Sequence, residues 1–262
     1  MRHTRGSGPL AAALALLLLA PGAAHADPDA LWNIVHDQCV VDVQQHRDPA
    51  PCARVDLSGG EGAGYAVFKD MVGDRQYLLI PTARIAGIES PELLNPHTVN
   101  YFGAAWQARS FVEQRAGGTI PRDWMSLAVN SAVARTQNQL HIHVDCLRAD
   151  VHDALRSAAG AIGAAWAPLP VPLTGHTYWA MGVDGTDLDA NPFRLLADGL
   201  DGARDDMGQF TLVVVGAANP VGRAGFVVLA DRADATGSAG GEELQDHDAC
   251  PALQPASSAT AK

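Results

Sequence analysis

RTQNQLHIHVDC, Arg135 to Cys146, sets two histidines one residue apart inside an apolar run. From Gln139 to Leu147 the alternation has the period of a β-strand. Gln139, His141, His143 and Asp145 then share one face, with Leu140, Ile142 and Val144 packed behind it. Gln137, Asn138, Gln139 and Asp145 crowd the same short segment, and a polar face of that kind on a core strand lines a cleft.

Upstream, MSLAVNS (Met125–Ser131) reads as a partner strand. YAVFKD and QYLLIP are two further β-like runs, joined by the turn-prone MVGDR. The segment from Asp29 to about His46 reads as a helix capped by Asp29, with Leu31, Ile34, Val35 and Cys39 near one face. A second helix runs from about Val99 to Gln114, with Phe102, Trp106 and a position near Val112 as its buried stripe. Helix, two strands, helix, two strands is an α+β meander with an antiparallel sheet.

Downstream, VHDALRSAAGAIGAAW is a small-residue helix and Ala167–Leu173 a Pro-rich joint. HTYWAMGVD is a strand, NPFRLLADGL a helix with Pro192 in its first turn, and FTLVVVGAA with GFVVLADRA a strand pair. This second half echoes the first loosely, without a residue-level repeat. The divisions are therefore 1–26 as an export segment, 27–166 as the region carrying the histidines, 167–250 as a smaller α+β extension, and 251–262 as a disordered tail.

Residues 1–26 carry Arg2 and Arg5, an apolar run from Leu10 to Ala20, and the small-residue triplet Ala24-His25-Ala26. That is the form of a secretory signal. The run is short of the roughly 20 residues a membrane-spanning helix needs. If uncleaved, Pro9 to Ala26 would serve as a tilted anchor. Without residues 1–26, which hold no acid, the chain keeps 236 residues with 16 basic and 29 acidic side chains, a net charge of −13. Only Lys69 and Lys262 are lysines among those bases. Such a surface argues against non-specific nucleic-acid binding and against electrostatic adsorption to anionic lipid. Any membrane contact is then apolar or through the N-terminus. Four cysteines in an exported chain suggest two disulfides. Of three connectivities the favoured one is Cys39–Cys52 with Cys146–Cys250, the second tying the C-terminal segment to the histidine strand.

Three chemistries compete for His141 and His143. They are an ordinary hydrogen-bonded pair on an exposed sheet face, ligands of a metal, or a nucleophilic device acting on phosphorus. HIHVDC resembles the start of the HxHxDH signature of binuclear zinc hydrolases, but Cys146 stands where that pattern has its last histidine. His152, His176 and His247 stand alone, as single histidines that ordinarily pack or hydrogen-bond. A neutral imidazole is a good nucleophile near neutral pH if its other nitrogen is held by an acceptor and donors await the phosphoryl oxygens. Elsewhere, Arg84 reads as a surface arginine rather than a phosphate contact, and Trp106 and Phe102 read as core.

LHIHVDC, preceded by MSLAVNSAVARTQNQ and by YLLIPTARI, resembles the histidine-triad superfamily of nucleotidyl hydrolases and transferases. The longer resemblance is to the bacterial CDP-diacylglycerol pyrophosphatase family, also called CDP-diacylglycerol phosphatidylhydrolases. It runs through GYAVFKD, QYLLIPTARIAGIESPELL, NYFGAAWQAR, RTQNQLHIHVDCLR, LTGHTYWA, NPFRLLAD and EELQDH. It implies a histidine-triad-like antiparallel sheet with flanking helices. It also implies an enzyme of phospholipid metabolism in the cell envelope, secreted to the periplasm or tethered to the inner membrane.

The implied reaction is hydrolysis of CDP-diacylglycerol to CMP and phosphatidate through a nucleotidyl-histidine intermediate, with no cofactor required. His141 takes the nucleophile's position and His143 a supporting one. Asn130, Thr136, Gln137 and Gln139 would bind substrate or phosphate. Gln139 departs from the triad, whose first member is histidine, and an amide cannot titrate. The alternatives are a metal-dependent phosphoesterase, marked by loss of activity to a chelator, and an envelope module that binds nucleotide or lipid without turnover.

Overall fold

The computed structural model describes residues 27–218, 223–234 and 240–255. The expected export segment, 1–26, lies outside the described residues, as do residues 256–262 of the expected tail. Among the described residues no helix is long and apolar enough to cross a membrane.

Nine strands form one antiparallel sheet. They are β1 (Arg54–Asp56), β2 (Tyr65–Lys69), β3 (Tyr77–Pro81), β5 (Met125–Val129), β6 (Ile142–Cys146), β7 (Ala167–Pro168), β8 (Trp179–Asp184), β9 (Phe210–Ala218) and β10 (Ala224–Arg232). Their spatial order is β1-β2-β3-β6-β5-β9-β10-β8-β7. A two-residue strand β4 (Gly118–Thr119) pairs with β11 (Gln254–Pro255), so the segment expected to be a disordered tail begins in an ordered ladder. The order corrects the meander. β6 lies between β3 and β5 because helix α3 (Tyr101–Ala116) carries the chain across one face before β5 begins.

That face holds the main core. Phe102, Ala105, Trp106 and Val112 of α3 pack with Leu79, Leu127, Ile142 and Val144, together with Phe193 and Leu196 of α5 (Pro192–Gly199). Asn100 caps α3 by accepting from Gly103 N at 3.2 Å. The N-terminal helix is α1 (Ala30–Ile34), a π-helical turn (Val35–Val40) and α2 (Val41–His46) in succession. Asp29 makes no side-chain cap there. It pairs with Arg84, whose guanidinium lies over the Trp32 ring.

The opposite face is covered in two pieces. Leu31, Val35 and Val40 cover Ala66, Leu78 and Ile80. Val151 and Leu155 of α4 (Ala149–Ala158), with Leu169, Tyr178 and Leu244, cover Ala128, Val213, Val215 and Leu229. His143 is in register with Leu78 on one side and Ala128 on the other. It therefore sits at the seam between the two apolar covers, where the sheet carries polar side chains. The four cysteines form Cys39–Cys52, with Cα atoms 5.7 Å apart, and Cys146–Cys250, 5.5 Å apart.

Candidate active site

β6 begins at Ile142, so the expected strand from Gln139 is shorter at its start than its alternation implied. The three residues before it belong to a connection pinned by backbone bonds: Asn138 N to Pro28 O at 2.6 Å and Leu140 N to Ile85 O at 2.7 Å. Gln139 is fully buried, and its side-chain amide donates to the carbonyls of Pro81 (3.0 Å) and Ala83 (2.9 Å). Its own carbonyl oxygen lies 2.7 Å from His141 Nδ1. A carbonyl only accepts, so that ring nitrogen carries the hydrogen, and the neutral imidazole keeps its lone pair on Nε2. Gln139 thus acts on His141 through its backbone.

His141 and His143 stand with ring centroids 4.9 Å apart and planes at 63°. They are 8% and 5% exposed, a burial that disfavours charge. Burial first, then the neighbouring His143, holds His141 down to about 4. Burial also lowers His143. Both ring nitrogens of His143 are shut off from solvent and have no hydrogen-bond partner among the described residues. Glu242 Oε2 comes within 3.3 Å of Nδ1 without hydrogen-bonding alignment. Buried polar atoms without a partner are rare in folded proteins.

Asn130 follows the end of β5. It donates from Nδ2 to Glu242 Oε1 at 3.0 Å and accepts from Glu242 N at 3.3 Å. Arg135 makes a two-pronged ion pair with Glu89, both bonds 2.6 Å, and this fixes the loop between β5 and β6. Thr136 is exposed in that loop. Gln137 accepts from Leu31 N at 3.0 Å and donates to Asp27 O at 2.9 Å, fastening the N-terminal helix rather than facing His143. The fold therefore brings together His141, His143, Asn130 and the Gln139 carbonyl, and places Thr136 and Gln137 on the loop beyond.

Asp70, Glu242 and Gln245 carry no mark of their own in the sequence, and they join His247, which the sequence offers only as a lone histidine. Gln245 Nε2 donates to Ser126 Oγ (3.0 Å) and to the carbonyls of Ser126 (3.2 Å) and His143 (3.3 Å). His247 Nδ1 lies 3.0 Å from Asp145 Oδ2. Asp70, at the end of β2, accepts from Gln76 and bears electrostatically on His141, His143 and His247. The available signal was EELQDH, where Glu242, Gln245 and His247 fall within six residues.

A buried pair of imidazoles, one with its free nitrogen defined by a backbone acceptor, fits nucleophilic attack better than an exposed sheet face. Cys146 is committed to a disulfide, so the last position of the zinc-hydrolase pattern offers no ligand. The model of the family described as CDP-diacylglycerol pyrophosphatase matches residues 26–254. The chain belongs to the CDP-diacylglycerol pyrophosphatase family. A relative named CDP-diacylglycerol pyrophosphatase, from Yersinia pestis, is 44% identical over 241 residues, which cover 89% of this chain and 90% of that protein. The match to the CDP-diacylglycerol pyrophosphatase family extends through both halves of the sheet and through Glu242, Gln245 and His247, so the C-terminal segment belongs to the same unit as the histidine strand.

Proposed function

We propose that the protein hydrolyses the pyrophosphate bond of CDP-diacylglycerol by covalent catalysis, with His141 as the nucleophile. Membership of the family carries the reaction, a hydrolysis giving CMP and phosphatidate. The observation that carries the mechanism is the bond between His141 Nδ1 and the Gln139 carbonyl, because it leaves Nε2 as the reactive lone pair in a ring kept neutral by burial.

In the first step Nε2 attacks the phosphorus attached to cytidine. A P–N bond forms, the bridging P–O bond breaks, and its electron pair leaves with phosphatidate. In the second step water attacks the same phosphorus, the P–N bond breaks, and CMP departs while His141 regains its lone pair. The proton from water passes to the Glu242 carboxylate, which stands beside His143 and is partly open to solvent. His143, neutral and without a hydrogen-bond partner, offers its single ring N–H to a phosphoryl oxygen, and Asn130 keeps Glu242 in place.

The substrate is a membrane lipid, and two disulfides suit an oxidising compartment. Both support action at the periplasmic face, reached by export through residues 1–26 or held there by them. Assay of CMP release from CDP-diacylglycerol, with wild type beside His141→Ala, tests the mechanism. The variant is expected to lose turnover and to form no acid-labile CMP adduct. Near-normal turnover by His141→Ala would overturn it. If a strong chelator abolishes wild-type activity and zinc restores it, the metal reading replaces it.

A further inference from the structure

The strand supplies two histidines where the triad pattern has three, and the C-terminal segment brings another imidazole to the same seam. Asp145 is 1% exposed, accepts from Cys146 N at 2.8 Å through Oδ1, and meets His247 Nδ1 at 3.0 Å through Oδ2. Three further ties fix the backbone around His247. Asp246 N donates to Cys146 O at 2.9 Å, Arg75 Nη1 donates to Asp248 O at 2.9 Å, and Cys250 is bonded to Cys146. Gly73, with φ +64°, lies so close beneath that a Cβ there would run into the His247 carbonyl oxygen. The segment is thus set against β6 and the β2–β3 turn at once.

We propose that His247, oriented by Asp145, is the third imidazole of the site and binds the phosphate that leaves with diacylglycerol. A buried carboxylate on Nδ1 fixes the ring's direction and favours its cationic form, which leaves Nε2–H as the ring's remaining donor on a side chain that keeps a quarter of its surface open. The hydrogen bond to Asp145 raises His247, the opposite of the burial that lowers His141 and His143. The three imidazoles therefore divide the work. His141 is neutral and attacks, His143 is neutral and donates its one N–H, and the Asp145 carboxylate on Nδ1 favours the cationic form of His247. When the bridging P–O bond breaks, its electron pair stays on the phosphatidate oxygen. The His247 Nε2–H donates to that oxygen, or gives up its proton if the product leaves as the monoanion. The released phosphatidate carries the proton away, and His247 takes another from water before the next turnover.

This inference rests on His141 attacking the cytidine-side phosphorus, and the test separates the two claims. The full chain is given CDP-diacylglycerol labelled in cytidine, in detergent micelles, and adduct formation and decay are followed by rapid quench. The p-nitrophenyl ester of CMP, which has no second phosphate, is the comparison substrate. His247→Gln is expected to slow adduct formation from CDP-diacylglycerol by roughly 100-fold, the loss typical of one oxyanion donor. On the p-nitrophenyl ester the loss should fall below about tenfold, and His247→Lys should restore part of the rate on CDP-diacylglycerol. Thermal melts identify variants with native stability. An equal loss on both substrates, or none on CDP-diacylglycerol, overturns the role of His247. If wild type turns over without an adduct, the nucleophile assignment fails instead, and the two-substrate comparison in steady state still decides for His247.

Discussion

At the scale of single residues the site is governed by where the proton sits. A free imidazole titrates near 6.5, whereas burial and the neighbouring His143 hold His141 down to about 4. The free enzyme should therefore keep its nucleophile through mildly acid solution. The acid limb of kcat/KM is expected near pH 4 rather than 6.5, and a limb at 6.5 in a pH–rate profile would contradict the burial argument. Stability follows with a definite sign. The unfolded chain takes up the His141 proton near pH 6.5 and the folded chain only near 4, so stability falls as pH drops across that window and levels off below it. The His141 contribution is on the order of 3 kcal/mol. Urea midpoints measured from pH 7 to pH 4 should drop for wild type and drop less for His141→Ala. The period of two marked the face that carries His143 and Asp145, whereas His141 stands one residue before the ladder and Asn130 entered only through the family resemblance. Glu242 had no mark of its own and His247 stood only as a lone histidine, since both meet β6 from about a hundred residues away and nothing local in a lone histidine names its partner. The side chain of Gln139 was misplaced for a third reason: alternation predicts faces only within a ladder, and the ladder begins at Ile142.

At the scale of elements, most strands and the helix Tyr101–Ala116 lie near where the sequence places them. The helix expected over 151–166 ends at Ala158 and passes through a short 3-10 turn into coil, and the pairing of strands has no local mark. QYLLIP and QLHIHVDCL are each evident as strands, but no local pattern states that β6 will enter between β3 and β5. Burial on both sides decides it, since Leu79, Leu127 and Val144 all pack beneath α3. The two disulfides then act on different elements. Cys39–Cys52 spans 13 residues and fastens the N-terminal helix, while Cys146–Cys250 spans 104 and fastens the segment carrying Glu242 and His247 to the histidine strand. Removing either should lower stability, by roughly 3 kcal/mol for the short loop and on the order of 5 kcal/mol for the long one if chain entropy dominates. Turnover should separate them. Cys146→Ala with Cys250→Ala should lower kcat at a temperature where the protein is folded, and Cys39→Ala with Cys52→Ala should leave kcat near wild type. Equal kcat in the two double variants would show that the C-terminal segment keeps its place without the disulfide.

At the scale of the whole molecule, the loose echo between the halves takes a definite form. β3, α3, β5 and β6 recur as β8, α5, β9 and β10, and the spatial orders β3-β6-β5 and β8-β10-β9 are the same. The halves meet edge to edge through β5 and β9, with Ser126, Leu127, Ala128 and Val129 opposite Val215, Val214, Val213 and Leu212. The strand equivalent to the histidine strand carries FVVL, Phe226 to Leu229, so only the first half has an imidazole pair. An adduct assay should accordingly find one CMP per chain. The junction also bears on folding. Every residue of β5 is buried, and at most 3% of any of its four β9 partners is exposed. A chain ending at residue 166 would leave β5 as a bare apolar edge, open to pairing with other molecules. It would also lose Glu242, Gln245, His247 and the partner of Cys146. Residues 27–166 expressed alone are therefore expected to aggregate or remain unfolded. The full chain should melt in one transition, with calorimetric and van't Hoff enthalpies in agreement. Two separated transitions, or a folded and soluble 27–166 fragment, would mean that the β5–β9 pairing joins two independent units, and that the histidine pair stands without the half that lends it Glu242 and His247.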